Sequence, residues 1–151
     1  MESTDVLVIG SGIAGLCAAI EAASAGATVA VASAGKTMSG SSFFPGTWGL
    51  GLIGPVDEDD EQDLINTIQT VGGGVADPTL VQTFVHCIPK AIEWLEQDLG
   101  VELQRPQSAK SAQQKQFIPC FDHKTRMWRG LTRKPLENAL TNRIESLGIR
   151  L

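Results

Sequence analysis

One short run near the start of this chain, Gly10-Ser11-Gly12-Ile13-Ala14-Gly15, constrains its fold more than any other feature. Three glycines at this spacing say little by themselves, and the weight comes from what flanks them. Asp5-Val-Leu-Val-Ile-Gly10 is a short apolar run ending in glycine, which reads as a buried strand. Ile13–Ala25 is rich in Ala and Leu and reads as a helix that Gly26 closes. Thr28-Val-Ala-Val-Ala32 alternates with β-branched residues and reads as a second strand. Strand, turn, helix and strand follow one another within 28 residues, from Asp5 to Ala32. The expected fold class is therefore α/β: a Rossmann-like parallel sheet with helices, joined by right-handed crossovers and left incomplete by a chain of this length.

Each glycine of the run has a distinct physical task in such a turn. Gly10 permits the tight turn, Gly12 lets a pyrophosphate approach the backbone, and Gly15 lets helix and strand pack closely. The helix start offers free N–H groups and a partial positive charge to phosphates. An acidic residue normally ends the second strand and holds ribose hydroxyls, but Ser33 stands there. No Arg replaces it, so a 2′-phosphate is not favoured. Ala30-Val-Ala-Ser-Ala-Gly35-Lys36-Thr37 fits the permissive form of a P-loop. The following Met-Ser-Gly-Ser-Ser-Phe-Phe-Pro-Gly should not start the helix that a P-loop needs, so Lys36 is expected in a solvated loop or near an adenosine end.

Three regions follow from pattern and charge: 1–56, the βαβ unit and a Gly/Ser/aromatic loop; 57–104, helical; and 105–151, a basic loop and helix. Glu61–Val71 is expected to be helical with Leu64, Ile65, Ile68 and Val71 on one face. Asp77-Pro78 is an N-cap followed by a first-turn proline, opening a helix that runs to Leu99 with Gly100 as its stop. Its expected face is Leu80, Phe84, Ile88, Ala91, Leu95 and Leu99, with a kink at Pro89. Leu136, Leu140, Ile144 and Leu147 mark a last helix closed by Gly148, and Ile149–Leu151 begins a further strand. Arg105–Gln116 reads as a surface loop.

The net charge of −5 divides into −2, −10 and +7 over the three regions, which suggests mutual pairing or two different faces. A polyanion-binding role for the whole chain is disfavoured, and the cluster Lys124, Arg126, Arg129, Arg133 and Lys134 with Trp128 is expected to be a solvated face pairing with the acidic middle rather than a nucleic-acid site. Cys17, Cys87 and Cys120 are widely spaced and odd in number, which argues against a disulfide framework or a structural zinc and for a reducing compartment. The acidic start is unlike a secretory signal, and Ile13–Val31 carries Glu21 and too many small residues to read as a membrane span. A cytoplasmic protein without metal ligands is expected, with His86 and His123 structural or solvated.

The segments Asp5-Val-Leu-Val-Ile-Gly-Ser-Gly-Ile-Ala-Gly-Leu16, Val29-Ala-Val-Ala-Ser33 and Gly40-Ser-Ser-Phe-Phe-Pro-Gly-Thr-Trp-Gly-Leu-Gly51 together resemble the fumarate reductase/succinate dehydrogenase flavoprotein family, its L-aspartate oxidases most of all. Weaker similarity runs through Asp77–Leu103 and Leu136–Leu151. The resemblance implies FAD as cofactor. Gly10, Ser11, Gly12, Ile13, Ala14 and Gly15 would cradle its pyrophosphate, Ser33 and Ala34 would meet the adenosine ribose, Ser41 and Ser42 would bond phosphate or flavin, and Gly46 to Gly51, with Gly46 and Gly49, would line the isoalloxazine. Phe43, Phe44 and Trp48 are open between packing under the loop and flavin contact. Ser41 stands about where respiratory members carry the His that binds flavin covalently, so the flavin is expected to be non-covalent. The implied activity is that of a flavin-dependent oxidoreductase acting on a dicarboxylate or amino acid, with other subunits possible. Family members place their catalytic His and Arg in later segments, so this chain is expected to be a truncated, cofactor-binding portion without catalytic residues. The alternatives are a non-catalytic FAD- or nucleotide-binding module and, further off, a nucleotide-hydrolysing or NAD-binding protein.

Overall fold

A computed structural model describes residues 3–44, 51–107 and 126–151. The chain forms two compact units, Met1–Gly49 with Thr132–Leu151, and Leu50–Leu131. In the first, β1 (Val6–Ile9) leads through the glycine turn into α1 (Ile13–Ser24) and then β2 (Val29–Ala32). The strands pair in parallel with Val6 opposite Val29 and Ile9 opposite Ala32. This is the mixed α/β arrangement with a parallel strand pair that the alternating pattern predicts.

A further helix, α4 (Arg133–Ser146), packs on α1. Its Leu136, Leu140 and Ile144 join Leu16, Ala19 and Ile20 of α1 and Val29 and Val31 of β2 in being buried, so the core of this unit lies on one face of the strand pair. After α4 the chain returns to the sheet: Arg150 pairs in parallel with Ala30, its N–H donating to the Val29 carbonyl and its carbonyl accepting from the Val31 N–H. The strand expected at Ile149–Leu151 is present in outline. The reading of β1 as buried needs correction. Val6 and Val8 are half-buried, whereas Leu7 and Ile9 are exposed, Ile9 by 84%, because described elements cover only the α1 face of the strand.

The second unit is built around a helix pair. Helix α2 spans Glu58–Val71, three residues earlier than expected, because the Asp57 carboxylate caps it by accepting from the Asp60 N–H at 2.8 Å. Four acidic residues, Glu58 to Glu61, fill its first turn, where the positive end of the helix dipole favours them. Helix α3 (Pro78–Glu93) opens as predicted, with Asp77 accepting from the N–H groups of Thr79 and Leu80 and with proline in its first turn. It continues past Pro89 into a π-helical stretch, Trp94–Asp98, before Gly100. Leu64, Ile65, Val81 and Val85 form the core between the two helices, with Ile68, Ala76 and Ile88 against them.

Two expected faces are corrected. Val71 is exposed, and on α3 the buried residues are Val81, Val85 and Ile92 rather than Leu80 and Phe84, which stand 68% and 62% exposed. Helix α3 carries two apolar stripes offset by one residue, and α2 takes only one of them.

Two strands go beyond the elements the sequence suggests. β3 (Gly51–Gly54) pairs antiparallel with β4 (Met127–Gly130), Gly51 opposite Gly130 and Ile53 opposite Trp128. The Trp128 indole seats on bare backbone: a Cβ at Gly51 would lie 1.6 Å from its Nε1, and one at Gly130 2.4 Å from its Cη2. Gln104 extends the ladder through paired backbone bonds with Gly130. Just before β4, Arg126 is fully buried, contrary to the solvated face expected there. Its guanidinium bonds the Asp60 carboxylate and, at 2.9 Å, that of Asp63, so the basic end does pair with the acidic middle, but from inside the unit.

Removing Arg126 leaves two carboxylates facing a cavity in place of their cation. Arg126→Met should cost about 3 kcal/mol, the low end for a broken buried ion pair because Asp63 is partly wetted, read as a drop in urea midpoint. The first unit carries a separate pH dependence. Thr28 donates to the Asp5 carboxylate from its hydroxyl and from its N–H, and these bonds hold the Asp5 carboxyl below its usual range. A carboxyl lowered by folding adds stability above its unfolded value and loses it as pH falls through the folded one. The stability advantage of the native chain over Thr28→Val should therefore shrink as urea titrations move from neutral to about pH 3; a constant difference would contradict the role given to Asp5.

Candidate functional site: the glycine turn at the start of α1

The turn between β1 and α1 is shaped by two glycines whose reasons are visible in the backbone. Gly10 has a φ of +109°, which L side chains rarely adopt, and its N–H donates to the Ala32 carbonyl at 2.7 Å, tying the turn to the end of β2. Gly15 sits one turn into α1 directly against the turn: a Cβ there would lie 2.0 Å from the Gly10 carbonyl oxygen. Helix and strand therefore meet backbone to backbone, as the spacing of the run predicts.

The start of α1 is left bare. Its N-cap is Gly12, with no side-chain capping bond, and its first turn holds no acidic residue. The first helical bond runs from the Leu16 N–H to the Gly12 carbonyl, so the N–H groups of Gly12 to Gly15 have no acceptor within the helix. Helices α2 and α3, by contrast, are each capped by an aspartate.

A second loop lies over this end. The Met38 N–H donates to the Ser11 carbonyl at 3.0 Å, and Ser11 is 4% exposed. Met38 is the one non-glycine described residue with positive φ, +59°, a conformation held by that bond. Gly40 then approaches Gly12 so closely that a Cβ at Gly40 would lie 3.3 Å from the Gly12 Cα. A 3₁₀ turn, Ser41–Phe43, starts there, with Ser41 and Ser42 exposed and Phe43 buried. Phe43 thus packs under the loop, while Phe44 is 64% exposed.

The structure brings Gly10, Ser11, Gly12, Ile13, Ala14 and Gly15 together with Ser41 and Ser42 within the same unit. Ser33 and Ala34 are exposed just past β2, where the Ser33 hydroxyl accepts from the Gly35 N–H at 3.5 Å. Gly46 and Gly49, with Trp48, Cys120 and His123, lie outside the described residues. Gly51, expected beside an isoalloxazine, lies in β3 with the Trp128 indole over it. Sequence reasoning passed over Met38 and named Gly40 only as the start of the Gly40–Gly51 resemblance. The only signal for them was Gly40 itself, standing amid serines where no helix or strand needs a glycine.

A family model described as FAD binding domain matches residues 5–144. The chain belongs to this FAD-binding family. It is 41% identical over 91 residues to an L-aspartate oxidase of Halobacterium salinarum, covering 60% of this chain and 17% of that one. It is 29% identical over 112 residues to a 4-oxocyclohex-2-ene-1-carboxylate 5-dehydrogenase of Sinomonas cyclohexanicum, covering 72% and 19%. The structure matches the open conformation of a flavocytochrome c3 fumarate reductase with a TM-score of 0.67 and 25% identity, covering 98% of this chain and 26% of that one. The chain thus spans about a sixth to a quarter of the length of these relatives.

The residues present fit the dinucleotide that the family binds. A polyanionic pyrophosphate needs bare donors and space, and the α1 start supplies uncapped N–H groups, no competing carboxylate, and a cradle between Gly12 and Gly40 that side chains would fill. Among the described residues no group of His, Cys, Asp or Glu is placed to hold a metal, and no helix is long and apolar enough to cross a membrane. Cys17, one turn further along α1, is half-buried, and burial, then Glu21, push its thiol up, which makes it a poor nucleophile.

Gly15→Ala must separate helix from turn and should cost about 3 kcal/mol in urea unfolding. Gly40→Ala meets a contact that yields by a few tenths of an ångström, so its effect should appear in FAD affinity, weakened about tenfold, with a smaller change in stability.

Proposed function

We propose that this chain is the cofactor-binding part of an FAD-dependent oxidoreductase of the fumarate reductase and L-aspartate oxidase type, whose substrate is a small dicarboxylate or amino acid. The observation that carries the reading is the uncapped start of α1 beneath Gly40, in a chain whose relatives include an L-aspartate oxidase and a fumarate reductase. In this reading the N–H groups of Gly12 to Gly15 and the Ser11 backbone bind the pyrophosphate. Ser41 and Ser42 hydroxyls donate to phosphate or flavin, and Ser33 and Ala34 meet the adenosine ribose, Ser33 through an uncharged hydroxyl. Gly46 and Gly49 are assigned to the isoalloxazine. When bound, flavin supplies hydride and single-electron chemistry that no side chain can supply. The chain's own residues bind and orient it, and none of them is assigned a catalytic role.

The flavin is held without a covalent bond in this reading, because Ser41 occupies the place where a histidine would be needed and a serine hydroxyl is a poor partner for such a link. The purified chain, or the chain after incubation with FAD, should be yellow and should release all its flavin on denaturation. A colourless protein that gains no heat stability from FAD, yet is stabilised by ATP or NAD, would overturn the reading; flavin retained after denaturation would overturn its non-covalent part. Ser33→Ala should weaken FAD binding about two- to tenfold, the worth of one neutral hydrogen bond.

A further inference from the structure

Strand β4 carries an arginine, Arg129, whose charge the described residues do not answer. Its register partner on β3 is Leu52, which offers no side-chain acceptor. On the other side of β4, Gln104 pairs with Gly130, so Arg105 and Arg129 take the next register positions along the two segments. Arg105 is answered: its guanidinium meets the Glu96 carboxylate at 2.7 Å. Arg129 is half-buried, and among the described residues no carboxylate forms an ion pair with it. Its Nη1 donates to the Trp128 carbonyl at 2.9 Å. Its Nε is buried with no acceptor, and among the described residues Nη2 has none either.

The pattern of used and unused donors is informative. Nε–H and the nearer Nη2–H point the same way and form the side edge by which a guanidinium grips a carboxylate or a phosphate through two parallel bonds. On Arg129 that whole edge lacks an acceptor, while Nη1 ties the far end of the fork to the strand. Water can serve an Nη2 at the surface of a half-buried side chain, but it does not reach the enclosed Nε, and a buried donor left without an acceptor costs free energy. We propose that Arg129 is an oxyanion site: a carboxylate or phosphate group enters at Nη2 and, after a small rotation of the guanidinium, takes Nε–H as well. The anion gives Arg129 the countercharge that Glu96 gives Arg105. Its donors, a charged fork on a strand, differ in kind from the backbone N–H groups of the glycine turn. The proposal does not depend on the FAD reading, since it rests only on residues of the second unit.

The test is a nuclear magnetic resonance titration of the isotope-labelled 151-residue chain with acetate, inorganic phosphate and chloride, each added separately at matched ionic strength. The Arg129 Nε–H resonance is identified by its loss in Arg129→Lys. It should move saturably with acetate or phosphate, the tighter of the two naming the group the site takes, and should not move with chloride. The backbone N–H of Leu52, opposite Arg129, should follow the same curve. In Arg129→Lys, which keeps the charge but not the fork, the affinity read at Leu52 should fall at least about tenfold. Both reporters belong to the second unit, so phosphate held at the glycine turn is read separately, from the Gly12 N–H. Three results would overturn the proposal: no saturable shift of either reporter with acetate or phosphate, the same shift with chloride, or unchanged affinity in a folded Arg129→Lys.

Discussion

The first unit depends on a single close approach, the backbone of Gly15 against the carbonyl of Gly10. Any side chain at Gly15 would push α1 off the turn, and with it the register of everything the turn aligns. The helix begins on Gly12, which has no side chain to cap it, and the N–H groups of its first turn have no acceptor within the helix. The Gly10 N–H ties the same turn to the end of β2, and the Ser11 carbonyl takes the Met38 N–H, so both later segments are fixed to one point of backbone. The anion-binding potential of this turn thus comes from a helix start built on glycine. A helix that must begin on bare glycine cannot satisfy its own first donors, and an anion is the natural partner for them.

The second unit has a different organiser. Arg126 enters just before β4 and reaches two carboxylates on the first two turns of α2, more than sixty residues earlier in the chain. Burying a guanidinium is costly unless it is paired, so the pairing specifies where β4 must lie relative to α2 more than it adds net stability. The Trp128 indole completes the placement by seating on Gly51 and Gly130, whose missing side chains leave the space it fills.

What could be read from the sequence was what local physics decides. β1, α1, β2 and α4 were legible because their apolar periods and glycine stops lie within or beside each segment. The glycine turn was legible for the same reason, since both its strand and its helix sit beside it. The buried face of α3 was not: Leu80 and Phe84 repeat at the same spacing as Val81 and Val85, and only the position of α2 decides between them. β3 and β4 were missed because Gly-Leu-Ile-Gly and Met-Trp-Arg-Gly have weak strand character alone and pair across more than seventy residues. The burial of Arg126 was missed on similar grounds, since its partners lie far away in sequence.

The acidic middle of the chain shows how a regional charge resolves into separate causes. Residues 57–104 hold eleven carboxylates against one lysine, a balance that suggests an interaction surface when seen only as a sum. Asp57 and Asp77 are helix caps, Glu58 and Asp59 sit in the favourable first turn of α2, and Asp60 and Asp63 hold Arg126. Glu61 meets His86 at 3.2 Å, and Glu96 pairs with Arg105 at 2.7 Å. Eight of the eleven therefore have a structural reason that needs no partner, leaving Glu93, Asp98 and Glu102. The charge of this region is thus spent largely inside the second unit, on helix starts and on the buried Arg126.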